Sequence, residues 1–459
     1  MMVCVCKARH LTKEGIASPM LSVSALSTHL QDLFTATANR LARETGCVQR
    51  QVKWTGAVLA QTLVFGWLAK PEARLTDLCH MAATAGLSIT PQGLDQRFTP
   101  ALATYIQRLL QEAVQWVVAA DPVAIPLLQR FTGVWLEDCS TLSLPAALAE
   151  EWCGCGGSGE TSHAALKLSV RLDLLCGSLH GPVLAAGHVQ DRVVSQDHPA
   201  LPANSLRITD LGYFSTETFA ALVATDVFVL SRPQARTTAV DADGHVWDIA
   251  DLLAAQTTNR VDLAIELGAQ TRVPCRLLAA RVSAETASRR RQAISKDARR
   301  EGQTPSRSRL LLADWNAYIT TAPADKLSLD DALVLARARW QIELLFKLWK
   351  SHGKLAHSRS QKPYRILCEI YAKLLALIVQ HWILLTAAWR YPDRSLPKLL
   401  AVVRDWATTL VDTLHSGRSL STLVRHIRPC LATAVAINPR RKHPNTYQRL
   451  LDPSLEVLH

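Results

Sequence analysis

The sequence predicts an α/β core interrupted by a β-rich insertion and flanked by helical N-terminal and C-terminal regions. Three observations carry that expectation. Helix-period apolar spacing dominates residues 25–130 and returns in residues 364–459. Residues 131–232 instead carry short alternating segments of strand type. Residues 233–312 then change character, with brief β-like pieces around an Asp243-Gly244 turn and a basic stretch, before strand and helix signals resume in 313–363.

Taken in order, residues 1–24 are expected to add little structure. No apolar segment of a secretory signal follows Cys4, Cys6, Lys7, Arg9 and His10, and Met20 is an alternative start. In the helical N-terminal region, residues 75–98 outline a helix-turn-helix. An apolar helix ends at Ala85-Gly86, Leu87 anchors the turn, and Ser88 or Thr90 can cap a second helix that has Pro91 in its first turn. That second helix would offer Gln92, Gln96 and Arg97 to a DNA groove, although any helical hairpin closed by glycine has the same outline.

In the core, Val134, Leu136 and Asp138 alternate onto one strand face, as do Leu206, Ile208 and Asp210. Further strands are expected over residues 165–175, 182–189, 227–230 and 310–320, with a helix over 216–224. Glu137 and Asp173 also occupy strand-like segments, where each can serve a local ion pair. Cys153 and Cys155 flank a glycine near His163, but no second CxxC or HxxxH completes a zinc set. Residues 288–309 hold eight Lys/Arg against two acids, a balance that favours phosphate contact over a merely solvated helix and loop.

Residues 339–350 read RWQIELLFKLWK. At 3.6 residues per turn, Arg339, Glu343, Lys347 and Lys350 share a stripe roughly 80° wide, and nearly all the remaining girth is apolar. A helix of that kind is expected to be wrapped in core on most sides, with one acid and three bases along its seam. The apolar run at 374–389 is broken by Gln380 and His381 and falls short of the roughly 20 residues a bilayer needs, so it reads as a buried core helix with no membrane partner.

Composition bounds the class. The 459 residues are 48% apolar and 20% charged, with a net charge of +12, which suits a globular protein with a polyanionic partner. Eleven cysteines without a regular framework point to reduced thiols in a cytoplasm. Three carboxylates brought together from two strands and a helix would repel one another without compensating cations. Such oxygen-rich sites hold Mg²⁺ or Mn²⁺ and support phosphodiester chemistry with two ions.

The segment RWQIELLFKLWKSHGKL resembles the signature of bacterial insertion-sequence family four transposases, which are DDE recombinases with an RNase-H-like core. Their Y-x2-R-x3-E-x6-K pattern maps onto Arg339, Glu343 and Lys350, with Ala336 in the tyrosine position. LEDCSTLSLP, with Asp138, and TDLGYFSTETF, with Asp210, resemble the two aspartate blocks. The resemblance implies a cut-and-paste DNA transposase in which Asp138, Asp210 and Glu343 bind two Mg²⁺ (or Mn²⁺) ions. It implies that Arg339 and Lys350, with Lys347 on the same stripe, contact the transposon end, and that Trp315 stacks on a flipped base. Terminal inverted repeats and target DNA would be the partners, bound by a homodimer in a bacterial cytoplasm at the nucleoid. The rival expectations are a transposase-derived DNA-binding protein that has lost catalysis, and a nuclease of the same fold that cuts without joining.

Overall fold

The computed structural model describes residues 22–49, 54–157, 159, 163–433, 436–437 and 444–457; the expectation for residues 1–21 lies outside them. Among these residues, ten strands form one mixed sheet: β1 (Val134–Leu144), β2 (Ala164–Asp173), β3 (Leu179–Ala186), β4 (Leu206–Thr209), β5 (Phe228–Ser231), β6 (Thr238–Val240), β7 (Val246–Asp248), β8 (Arg260–Leu267), β9 (Val273–Arg281) and β10 (Trp315–Thr320). Their order is β3-β2-β1-β4-β5-β10-β9-β8-β6-β7. β1, β4 and β5 run parallel, while β2 is antiparallel to β1 and β10 is antiparallel to β5.

Strand alternation sorts the core residues as expected. Val134, Leu136, Leu206 and Ile208 are essentially inaccessible and join the main core, while Trp135 faces the opposite side with Leu201 and Val227. The main core runs without a break from the N-terminal helices through this sheet face into the C-terminal helices. Its axis is the 23-residue helix Pro363–Leu385, whose apolar window is 94% buried inside the protein. Gln380 and His381, which interrupt its apolar run, each meet a backbone carbonyl. Gln380 donates to Leu400 O at 2.7 Å, and the His381 Nε2 lies 2.8 Å from Gly177 O.

Residues 238–281, inside the expected β-rich insertion of 233–312, carry strands β6 to β9. Their strands extend the same sheet, because β10 pairs with β5 on one side and with β9 on the other. The region also carries helix Ile249–Ala254, and helix Ala284–Arg300 follows it. Residues 307–312, whose second half was expected to be strand, form helix Arg307–Leu312, because the Ser306 hydroxyl accepts from Arg309 N and caps it. The strand begins only at Trp315.

The N-terminal turn has the predicted capping. Gly86 lies in the left-handed region at φ +80°, and Thr90 Oγ1 accepts from Gly93 N at 3.2 Å. A Cβ at Gly86 would sit 2.4 Å from the His415 ring, so the turn is pressed against the C-terminal region. The second helix is only Pro91–Asp95, however, a little over one turn, because Gln96 already caps it and a new helix starts at Pro100. It is far shorter than a groove-reading helix.

Beneath β1 lies a buried charge cluster. Glu137 is fully buried, and its Oε2 accepts from Arg171 Nε on β2 at 2.9 Å and from Arg207 Nε on β4 at 2.8 Å. Burial alone would raise the Glu137 carboxyl, but Arg207 and Arg171 outweigh it and hold the pKa low. Arg171 also donates to Pro199 O and Ser195 O. Asp173 acts on the backbone instead. Its Oδ1 accepts from Val134 N and Leu175 N and closes the β2–β3 turn against β1.

Two consequences are measurable. Glu137→Gln leaves two buried guanidinium groups short of their counter-ion and should cost about 3–5 kcal/mol in denaturant unfolding. Burial, helped by Arg171, depresses His180 to about 4 and His198 to about 3. The unfolded chain therefore takes up protons first as pH falls. The contribution of these two imidazoles to stability is full above about 6.5 and should be lost progressively toward pH 4, so thermal melts at graded pH should fall less steeply in His198→Gln than in wild type.

Candidate active site at the carboxyl edge of the parallel strands

β1 and β4 pair in parallel with Leu136 beside Ile208 and Glu137 beside Thr209. Asp138 and Asp210 are the next residues on that register, so two aspartates from distant segments meet at the same sheet edge. Both follow apolar residues on the face that packs against helix Trp340–Ser351, which carries Glu343 in its first turn. The helix follows Leu329–Ala338 with a break at Arg339, which caps one helix and begins the next.

Between strand and helix lies an open cleft of about 510 Å³. Asp138, Cys139 and Ser140 form one wall, and Glu343, Phe346, Lys347, Lys350 and Ser351 form the other. Asp138 is pushed up to about 6, first by burial and then by the neighbouring charges of Asp210 and Glu343. The Cys139 amide and Arg339 oppose the shift. Arg339 sits between the acids: Nη2 donates to Glu343 Oε1 at 2.6 Å, while Nη1 is 3.9 Å from Asp138 Oδ2. That Nη1 is buried and has no hydrogen-bond partner among the described residues. Lys350 reaches across the cleft to Thr141 O at 3.2 Å, and burial lowers its pKa. Lys347 is exposed at the cleft rim.

Sequence reasoning missed several of these neighbours. Tyr213 donates its phenol to Cys139 Sγ at 3.1 Å, linking the loop after Asp210 to the residue after Asp138. Glu137, Arg171 and Arg207 set the strand register from below. Only the alternation of acid and base on β1, β2 and β4 signals them.

Other expected site residues lie apart. Trp315 is 5% exposed, packed in the second core with Val229, Ile249, Leu277 and Ile319, and the Arg281 guanidinium lies 4.5 Å from its ring centroid. It does not line the cleft, and a base could stack on it only if it left that core. Gln92 and Arg97 are exposed in the N-terminal helical region, with Arg97 5.8 Å from the Trp54 ring. The catalytic-side helix is also less enclosed than its apolar girth suggested. Ile342, Leu345, Phe346 and Trp349 are buried, but Trp340 is 53% exposed.

The acids are not closed around a single point. Among the described residues, the one trio of potential ligands with all donor atoms within 4.8 Å is Asp241, Asp243 and His245, an exposed turn on the far side of the sheet order. Asp138, Asp210 and Glu343 are wider than that, with Arg339 in their midst. A pair of ions roughly 3.5–4 Å apart needs ligands spread over a longer span than one ion does. The all-oxygen donor set, and an Asp138 carboxyl kept from ionising by burial and by the charges of Asp210 and Glu343, fit divalent cations.

Comparison with known proteins agrees with this geometry. A family described as "Transposase DDE domain" matches residues 138–379, a span that begins at Asp138 and includes Asp210 and Glu343. The chain is 26% identical over 363 residues to the transposase for insertion sequence element IS231F of Bacillus thuringiensis subsp. israelensis, covering 74% of this chain and 75% of that protein. It is 24% identical over 444 residues to the transposase of IS231C from Bacillus thuringiensis subsp. berliner, covering 90% and 91%. The transposase of IS1151 from Clostridium perfringens is 23% identical over 380 residues, covering 76% and 78%. With just over half of its length inside the family's domain, the chain belongs to the DDE transposases, the enzymes that move insertion sequences.

Proposed function

We propose that this transposase cuts DNA at the ends of its insertion sequence and joins the freed 3′-hydroxyl to target DNA, a cut-and-paste reaction on an RNase-H-like core. The observation that supports it best is the parallel register that seats Asp138 beside Asp210, with Glu343 across the cleft. The RNase-H-like part is the run β3-β2-β1-β4-β5, and β6–β9 with their helices are the insertion within it.

Asp138, Asp210 and Glu343 would hold two Mg²⁺ (or Mn²⁺) ions, which supply activation of an attacking water or 3′-hydroxyl and stabilisation of the leaving oxygen. The chain's own groups do the positioning. Arg339 releases Glu343 and turns its free Nη1 to a phosphate oxygen, keeping the charge of the cleft balanced. Lys350 and Lys347 line the same wall and neutralise flanking phosphates. Phe346 adds an apolar surface to that wall.

The spacing of Arg339, Glu343 and Lys350 supports membership of insertion-sequence family four. Ala336 stands where that signature has tyrosine, and it is partly buried against the main core. Exposed Gln92 and Arg97 would help the N-terminal region engage terminal inverted repeats. Trp315 would serve a flipped base only after leaving its packed site. Paired ends imply a homodimer on DNA, working in the cytoplasm at the nucleoid.

The test uses labelled donor ends in Mg²⁺. Wild type should nick and then join, whereas Glu343→Gln should lose at least about 10³-fold in nicking, the scale of losing a principal charge-stabilising group. Nicking without strand-transfer product would instead identify a nuclease, and nicking retained in Glu343→Gln would remove that residue from the reaction. A second expectation follows from Asp138. Its carboxyl resists ionisation until about pH 6, so the contribution of Asp138 to the stability of the ion-free protein is full below its unfolded value near 3.8 and is lost as pH rises through 6. Asp138→Asn should therefore raise the melting temperature without metal at pH 8 by about 2–4 °C, leave it nearly unchanged at pH 4, and abolish the Mg²⁺-induced rise that wild type shows.

A further inference from the structure

Continuing the strand registers by one or two residues places Asp138, Asp210 and Arg232 side by side on β1, β4 and β5, with Tyr318 of β10 next in line. Adjacent strands are about 5 Å apart, so Arg232 stands one strand from the second aspartate and two from the first. It is exposed, and its side chain makes no hydrogen bond or ion pair among the described residues.

Helix Ala284–Arg300 is moored at the same edge. Arg290 donates to Trp315 O at 3.1 Å and to Asn316 Oδ1 at 2.8 Å, Arg291 pairs with Asp314, and Ala287 and Ala298 are buried beneath. These contacts use Arg290 and Arg291 to hold the helix. They leave Lys296, Arg299 and Arg300 exposed and without an acidic partner among the described residues, about 9–15 Å along the helix from Arg290. Ser288, Gln292 and Ser295 lie among these cations along one shallow groove and add neutral donors. Arg290 is held below the usual guanidinium range, first by burial and then by the charge of Arg232. Like charges gathered without a counter-ion beside a phosphodiester-cutting edge call for an anionic partner.

We propose that Arg232, Lys296, Arg299 and Arg300 form a phosphate track that holds the duplex carrying the scissile phosphodiester against the catalytic edge. The inference rests on the reading of the cleft as the DNA-cutting site. A 17-residue helix spans about 25 Å, room for roughly seven base pairs of backbone. Because the groups meet phosphate and not base edges, the track adds affinity without sequence preference.

The experiment measures binding of the full chain to a duplex carrying the element's own end, and to an unrelated duplex of equal length, across a salt series. Lys296→Ala/Arg299→Ala/Arg300→Ala should weaken both complexes equally, by about tenfold or more at roughly 150 mM salt. The slope of log K against log salt should become shallower by about 0.9 per lost contact. Arg232→Ala should lose about one further contact. Lys398→Ala/Arg425→Ala, which removes exposed charges in the C-terminal helices, is the control. An unchanged slope in the triple variant, or an equal loss per charge in the control, overturns the track. Wild type that fails to bind overturns both readings. Wild type that binds with the expected slope, loses it in the triple variant and yet never nicks in Mg²⁺ leaves the track standing and removes the catalytic reading of the cleft.

Discussion

The parallel alignment of β1 with β4 is the constraint on which the rest of the molecule depends, and buried Glu137 enforces it. One of its carboxylate oxygens accepts from guanidinium groups on both flanking strands, Arg171 of β2 and Arg207 of β4. A slip of either neighbour would strand an ionised group in a dry sheet face, at a cost of several kcal/mol. A one-residue slip would also turn the apolar stripes to the wrong side of the sheet. Charge below the sheet and apolar packing above it therefore select the same alignment, and that alignment puts the carboxylates of Asp138 and Asp210 at one edge.

Above the sheet the charge balance is incomplete. Asp138 carries a raised pKa because burial and two further acids oppose its ionisation, and Arg339 is the one cation among the described residues seated between Asp138 and Glu343. The guanidinium satisfies Glu343 but leaves one nitrogen unbonded. In the proposed reaction the acids would gather the cations and the unbonded nitrogen of Arg339 would meet an anion. Along the sheet edge the sign reverses, from the aspartates on β1 and β4 to Arg232 after β5 and the basic helix anchored on β10. A phosphate backbone and its metal counter-charges have complementary needs along that same line.

Much of this was legible in the linear pattern because period-two and period-3.6 spacing report which side of an element is buried. Val134, Leu136 and Asp138, their counterparts ending in Asp210, and the Arg339–Lys350 stripe are read that way, as is the glycine turn at Gly86. Other features were hidden because they depend on what packs from elsewhere. Trp315 has the composition of a ligand-stacking aromatic, yet strand β10 turns it into the second core. Trp340 looks like one more core residue of its helix, yet half of its surface stays open to solvent. The Pro91–Asp95 helix stops early because Thr99 and Pro100 start the next one, which shortens what resembled a recognition helix.

By itself the sequence determined the local chemistry: the strands that end in acid, the helix that carries one acid among bases, and a basic segment with few acids to neutralise it. Each follows from residues near one another in the chain, where propensity and periodicity act. Only the tertiary structure decided which strands are neighbours, that β10 joins β9 to β5, and that Arg171 and Arg207 share Glu137. Those pairings come from hydrogen-bond ladders and buried charges between segments tens to hundreds of residues apart, and no local preference encodes a partner at that distance.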